Sequence, residues 1–260
     1  MKTKKKKLVL FDIDGTLVNS SPKGVGQWKE RIATVFRKVY EISVPFDMDA
    51  HEYNGKVDKQ VFRLLSEKLG IPKDIFDDRF PQARDIYHEE LQKIIASEDD
   101  AYLAFDDAKT FVSRLIETSH IEIGVITGNI ERNAWAKLEK AGLHGFFSFG
   151  AFADDVEDRS ELVLHALDKA KAHFNIVFDK SDVIVIGDTV HDIRAARSGG
   201  VRSIGVATGV STTLDELANE GADLAVSSLM DERVFVMLGL IDTPTKTTNA
   251  TKTTEVKKNI

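Results

Sequence analysis

Asp12 and Asp14 stand one residue apart in LVLFDIDGTLVNS, directly after the four apolar residues Leu8 to Phe11. An apolar run of that kind reads as a buried strand, and Asp14-Gly15 is an ordinary turn signal at its end. The turn leaves Asp12 unexplained, because a second carboxylate at a strand tip adds repulsion and desolvation that a turn does not need. Two more polar clusters follow apolar runs in the same manner. Thr127, Gly128 and Asn129 come after IEIGVI, and Asp188 and Asp192 come after VIVIG. In one parallel sheet these strand tips share an edge, and the carboxylates become neighbours. Such a cluster calls for a hard cation with oxygen ligands, and Mg²⁺ typically takes one or two carboxylates, waters and a substrate phosphate.

Each piece also has a plain structural explanation. GDTVHD serves equally as a strand end with Asp188 capping the next helix, and Thr-Gly-Asn is common loop chemistry. It is the succession of all three, each immediately after an apolar strand, that points to a site.

The elements that must position these residues follow from periodicity. Trp28, Ile32, Val35, Phe36 and Val39 mark an amphipathic helix. A second follows Asp58 as N-cap, carrying Val61, Leu64, Leu65 and Leu69, and a third begins at Pro81. From Phe105 onward strands and helices alternate: helix 107–118, strand 121–126, helix 131–141, an apolar piece at 146–149, helix 160–173, strand 182–188, then a short helix, strand 201–206, helix 214–220 and a last strand 222–226. The fold expected is α/β, a doubly wound parallel-sheet core of Rossmann-like type with an inserted all-helical domain. The core is assigned to 1–20 and 105–242, the helical insertion to 21–104, and a disordered Thr- and Lys-rich tail to 243–260. Ligands of open α/β sheets bind beyond the carboxyl ends of the strands, so an insertion after the first strand is a candidate lid.

Composition narrows the partners. Lys and Arg number 35 against 42 Asp and Glu, a formal charge of −7, which makes nucleic acid a poor default partner. With no cysteine, disulfide, thiolate and Cys-ligated zinc chemistry are excluded. The late apolar run Phe235 to Ile241 is far shorter than a membrane span, and the apolar residues after MKTKKKK stop at Phe11, too few for a secretory segment. The expectation is a soluble cytoplasmic protein without membrane or nucleic-acid partners, a monomer or homodimer, with Lys4 to Lys7 as a solvated tail.

DIDGTL, VITGN and GDTVHD resemble motifs I, II and IV of the haloacid dehalogenase (HAD) superfamily, and the helical insertion resembles the C1-type cap of its phosphoglycolate-phosphatase-like members. The resemblance runs from Leu8 to about Ile241. It implies that Asp12 is a nucleophile forming an aspartyl-phosphate, that Asp14 is general acid and base, and that Thr127 holds the transferred phosphoryl group beside Gly128 and Asn129. It also implies that Mg²⁺ is bound by Asp188 with the Asp12 carboxylate and the Asp14 backbone carbonyl, Asp192 lying at or near its outer shell. Gly15 then lets the backbone approach the phosphate. A carboxylate nucleophile divides a slow ester hydrolysis into two easier steps, and one acid nearby can serve both. Asp14 also argues against dehalogenation, since halide leaves without a proton.

The Lys-Pro pair usual in motif III is missing. Arg159 in EDRSEL is the candidate cation there, because guanidinium binds phosphate bidentately; Lys169 and Lys171, mid-helix, are its rivals. YNGKVDK, Tyr53 to Lys59, resembles the cap's substrate-specificity loop, with Gly55, Lys56 and Asp58 able to reach the leaving group; a glycine turn, a solvated lysine and a capping aspartate explain the same letters. His51, His88, His120 and His191 lack metal-ligand spacing and receive no role, and Trp28 and Phe36 are assigned to packing. The activity expected is Mg²⁺-dependent hydrolysis of a small phosphate ester. The alternatives are a β-phosphoglucomutase-like mutase and a non-catalytic binding protein on the same fold.

Overall fold

The structure, a computed structural model, describes residues 5–19, 24–44, 53 and 55–242. Six strands, β1 (Lys7–Phe11), β4 (Ile121–Ile126), β5 (Gly150–Ala151), β6 (Val183–Gly187), β7 (Arg202–Val206) and β8 (Leu224–Val226), form one sheet in the order β5-β4-β1-β6-β7-β8. All five pairings are parallel. β1 is therefore flanked by β4 and β6, the two other strands whose ends carry polar clusters. The chain winds outward first to one side of β1 and then to the other, so the switch point lies beside β1, where open sheets bind ligands.

Both faces of the sheet are covered. Leu8 and Leu10 point into one core with Val183, Val185, Leu162 and Ala166, while Val9 and Phe11 point into the other with Phe111, Val112, Ile184 and Ile186. That two-sided burial is why the central strands read as continuous apolar runs. The covering helices are α4 (Ala108–Ile116), α5 (Glu131–Lys140), α6 (Leu162–Phe174), α7 (Val190–Gly199), α8 (Leu214–Glu220) and α9 (Glu232–Leu238). The apolar piece at 146–149 leads into the strand Gly150–Ala151, where a Cβ on Gly150 would run into Val125 and Phe152. Helix α9 was not expected at all. Asp231 caps it, and Phe235 packs edge-on against Phe111 at 5.5 Å.

Between the short antiparallel strands β2 (Val18–Asn19) and β3 (Leu103–Ala104) lie α1 (Gly24–Val35), a wider π turn at Phe36–Tyr40, α2 (Asp58–Lys68) and α3 (Lys73–Ser97). Phe62 stacks on Phe36 at 5.8 Å and meets Tyr87 edge-on at 5.1 Å, so the three helices share an aromatic core. Pro81 does not start the third helix as expected; it lies inside α3, whose cap is Pro72. The buried stripe Phe76, Phe80, Ala83, Tyr87 and Leu91 continues through the proline, and packing of that stripe outweighs the lost backbone hydrogen bond. Asp58 likewise is the first residue of α2 rather than its cap, because its carboxylate is used elsewhere.

Lys5 to Lys7 do not form a solvated tail. Lys7 begins β1, Lys6 pairs with Glu122 at 2.5 Å, and Lys5 reaches Asp179 and Asp182. Lys4, His51 and the tail 243–260 lie outside the described residues.

Candidate active site

The strand tips converge as parallel pairing demands. Phe11 is in register with Val125 on one side and Ile186 on the other, and the Asp12 amide continues the ladder by donating to the Ile186 carbonyl at 2.9 Å. Asp12, Asp188 and Asp192 are buried and bring one carboxylate oxygen each within 4.8 Å of the others. Burial, and then Asp192, push Asp12 well above the usual carboxylate range against the pull of Arg159. Asp188 is pushed up to about 8 by burial and the same neighbour.

Two glycines make room for this cluster. A Cβ on Gly15, at φ 85°, or on Gly209 would overlap the Asp188 carboxylate. Gly15 thus makes way for Asp188 and is not part of the cavity wall. Three close-packed oxygen donors whose charge, among the described residues, Arg159 partly offsets suit a hard divalent cation.

Arg159 sits at the start of α6, in the turn Arg159–Glu161, and pairs with Asp192; its Nη2 is 3.5 Å from Asp12 Oδ1. Its rival Lys169 is committed to Asp155 at 2.8 Å. Asp192 does double duty. Its Oδ2 accepts from the amide and hydroxyl of Thr189 at 3.0 and 2.7 Å, closing a capping box on α7. The cap of α7 is therefore Thr189, and Asp188 is left for the cluster.

Asp14 lies outside that cluster. Its Oδ2 accepts from Lys137 Nζ at 2.6 Å and from Asn129 Nδ2 at 2.7 Å. Asn129 also donates to Thr127 Oγ1 at 2.8 Å and accepts from Lys137 at 2.7 Å, so one amide ties the first and second strand tips together. Lys137 is only 5% exposed. Burial is the largest single influence and works against its charge, but Asp14 and Tyr102 together outweigh it and its pKa is raised. Its ammonium also lies 5.2 Å from the ring centre of Tyr102, a buried residue at φ 56°, a conformation costly for an aromatic side chain. Sequence reading missed Lys137. The available signal was a lysine beside Ala134 and Leu138 on the buried face of α5, two turns after Asn129.

A cavity of about 330 Å³ opens over these groups, lined from the sheet by Asp12, Asp14, Thr127, Gly128, Asn129, Lys137 and Arg159. The helical segment supplies the opposite wall, including Arg31, Lys56 and Asp58. Of the residues proposed from sequence, Asp188, Asp192 and Gly15 lie beneath this cavity, and the others line it. Asp58 holds the two walls together. Its amide donates to the Gly128 carbonyl at 2.7 Å, and its Oδ2 accepts from the Ile130 amide, at the N-terminus of α5, at 2.9 Å. Burial raises its pKa to about 6, although the Ile130 amide and Lys137 oppose that. Arg84–Asp154, Arg132–Asp85 and Arg63–Glu157 pairs bridge the same walls farther out. A Cβ on Gly55 would strike the His191 ring, which assigns that histidine to packing.

An α/β sheet with acidic strand tips under a helical wall is a recurrent arrangement, and comparison with known proteins identifies the family it belongs to here. Residues 6–200 match the family described as haloacid dehalogenase-like hydrolase, and the chain belongs to it. A Bacillus pumilus protein named pyrophosphatase PpaX is 26% identical over 202 residues, 76% of this chain and 82% of its own length. A phosphoglycolate phosphatase of Colwellia psychrerythraea is 26% identical over 212 residues, 80% and 88% of the two chains. A solved HAD hydrolase of family IA, variant 3, from Entamoeba histolytica shares the fold at TM-score 0.63 with 22% identity, covering 91% of this chain and 100% of that one.

Three outcomes follow from this geometry. Asp188 is raised above its unfolded value, so its contribution to stability is full below about pH 4 and lost as pH rises through about 8. MgCl₂ is expected to raise the melting temperature more at pH 8 than at pH 6 and to displace protons at pH 7. Calorimetric heats that do not vary with buffer ionisation enthalpy would contradict this. Asp58, also raised, favours the native state below about pH 4 and loses that contribution as pH passes about 6. Asp58→Asn is therefore expected to gain stability relative to the parent as pH goes from 4 to 7, by ~2–3 kcal/mol. Urea unfolding at the two pH values measures it. Lys137→Met is expected to cost about 1–3 kcal/mol, and a double-mutant cycle with Asp14→Asn to show coupling above about 1 kcal/mol; additive losses would count against the pair.

Proposed function

We propose that the protein is a Mg²⁺-dependent phosphatase that hydrolyses a small phosphorylated metabolite through an aspartyl-phosphate on Asp12. The observation that carries this reading is the division of labour between two aspartates one residue apart. Asp12 lies in the carboxylate cluster beside Arg159, while Asp14 is turned away onto Lys137 and Asn129. Phosphatase-named relatives support it.

An oxygen of the Asp12 carboxylate attacks phosphorus, and the bond to the ester oxygen breaks as that oxygen takes a proton from Asp14. Asp14 then takes a proton from water, whose oxygen attacks the phosphoryl group and returns Asp12 as a free carboxylate. Thr127, buried at the next strand tip with Gly128 and Asn129 beside it, holds the phosphoryl oxygens, and Arg159 supplies a fixed cation. Asp12 and Asp188, with the Asp14 backbone carbonyl and with Asp192 at or near the outer shell, would hold Mg²⁺, which would supply charge to offset repulsion between Asp12 and the incoming phosphate. Lys137 and Asn129 orient Asp14. Residues 1–20 and 105–242 form the catalytic core in this reading. Residues 21–104 form a cap that excludes water and presents Lys56 to the leaving group.

Phosphate release from a panel of esters tests this. Release is expected with MgCl₂, to stop with EDTA, and to fall by at least about 10³-fold in both Asp12→Asn and Asp14→Asn. Isomerisation of a sugar phosphate with little release would instead make the protein a mutase.

A further inference from the structure

Arg31 on α1 is 7% exposed and lines the cavity from the helical side. Its Nη2 donates to the Tyr87 hydroxyl at 3.0 Å, and its guanidinium lies 4.5 Å from the Tyr87 ring centre. Its Nε and Nη1 have no hydrogen-bond partner among the described residues. No carboxylate of those residues comes within ion-pair distance. Asp58 lines the same cavity, but its Oδ2 is taken by the Ile130 amide. A buried guanidinium with open donors is costly unless an anion completes it.

The reaction centre does not need this charge. Lys137 is matched to Asp14, and Arg159 to Asp12 and Asp192. Arg31 and Lys56 therefore remain as cavity-lining cations without an ion-pair partner among the described residues. At about 330 Å³ the cavity is at the small end of ligand sites, so a bound ester reaches from Asp12 to the Arg31 wall only if it is short.

Resting on the phosphatase reading, we propose that Arg31, assisted by Lys56, is a second anion subsite. The substrate is then a short phosphate monoester whose alcohol part carries its own anionic group, a carboxylate or a second phosphate. Guanidinium meets either oxyanion through charge-assisted hydrogen bonds. Trp28 and Tyr53, 6.2 Å apart between ring centres, wall the space near it.

Two matched pairs test the assignment: 3-phosphoglycerate against glycerol 3-phosphate, and 1,3-propanediol bisphosphate against 3-hydroxypropyl phosphate. In the full-length protein with MgCl₂, kcat/KM is expected to favour the charged member of at least one pair by tenfold or more, and the pair that does so names the anion. Arg31→Met is expected to reduce that ratio at least tenfold, mainly through KM, with Arg31→Lys restoring part of it. Equal use of both members by the parent, or an Arg31→Met loss that leaves the ratio unchanged, overturns the subsite and assigns Arg31 to packing on Tyr87. Calorimetric binding of the same pairs in EDTA separates the two readings. If no ester releases phosphate but the charged members still bind tenfold tighter in an Arg31-dependent way, the phosphatase reading fails and the subsite stands. If neither release nor Arg31-dependent binding is seen, both are overturned.

Discussion

Mutual repulsion among buried carboxylates is the constraint around which this structure is arranged. Among the described residues, Asp12, Asp188 and Asp192 share a volume where one positive side chain, Arg159, reaches them, and burial together with the neighbouring carboxylates pushes Asp12 and Asp188 above the usual carboxylate range. A fold optimised for stability alone has no use for such a cluster. The surrounding chain accommodates it. Gly15 and Gly209 clear the space around Asp188, and the capping box of α7 holds Asp192 through Thr189.

The sheet supplies what that cluster needs from its surroundings. β1 is buried on both faces and paired on both edges, so Asp12 is mounted at the end of a tightly held central strand. β4 and β6 deliver Thr127 and Asp188 to the same edge by register. Asn129 and Lys137 then lock Asp14 sideways by short, charge-assisted bonds, so two carboxylates one residue apart occupy different electrostatic settings. That separation allows one aspartate to act as nucleophile and the other to move protons in the proposed reaction.

The helical segment is coupled to the same edge. Asp58 sends its amide to Gly128 and receives the amide of Ile130, so motif II is braced from the opposite wall. A two-stranded base at β2 and β3 and several exposed ion pairs are the other ties. Exposed pairs contribute little individually, so the buried Asp58 contacts set the spacing of the walls, and with it the size of the cavity.

Much of this was legible in the order of letters. Apolar runs ending in Asp12, Thr127 and Asp188 declared three buried strands and the groups at their tips, because burial on both faces demands uninterrupted apolar residues. Arg159 was legible as the cation left once Lys169 and Lys171 were placed mid-helix. Local pattern failed where distant packing decided the matter: Pro81 stays inside α3 because its buried stripe continues past it, and Asp58 abandons its own helix for Ile130. Lys137 and Arg31 gave little signal, since a lysine or arginine in a helix looks the same whether it faces water or a buried carboxylate. Chain order thus determines the fold and the residues that reach the strand edge, through periodicities that span only a few residues. Tertiary structure alone decides which charges are paired, which are left open and how far apart the walls stand, because those depend on contacts between residues far apart in the chain.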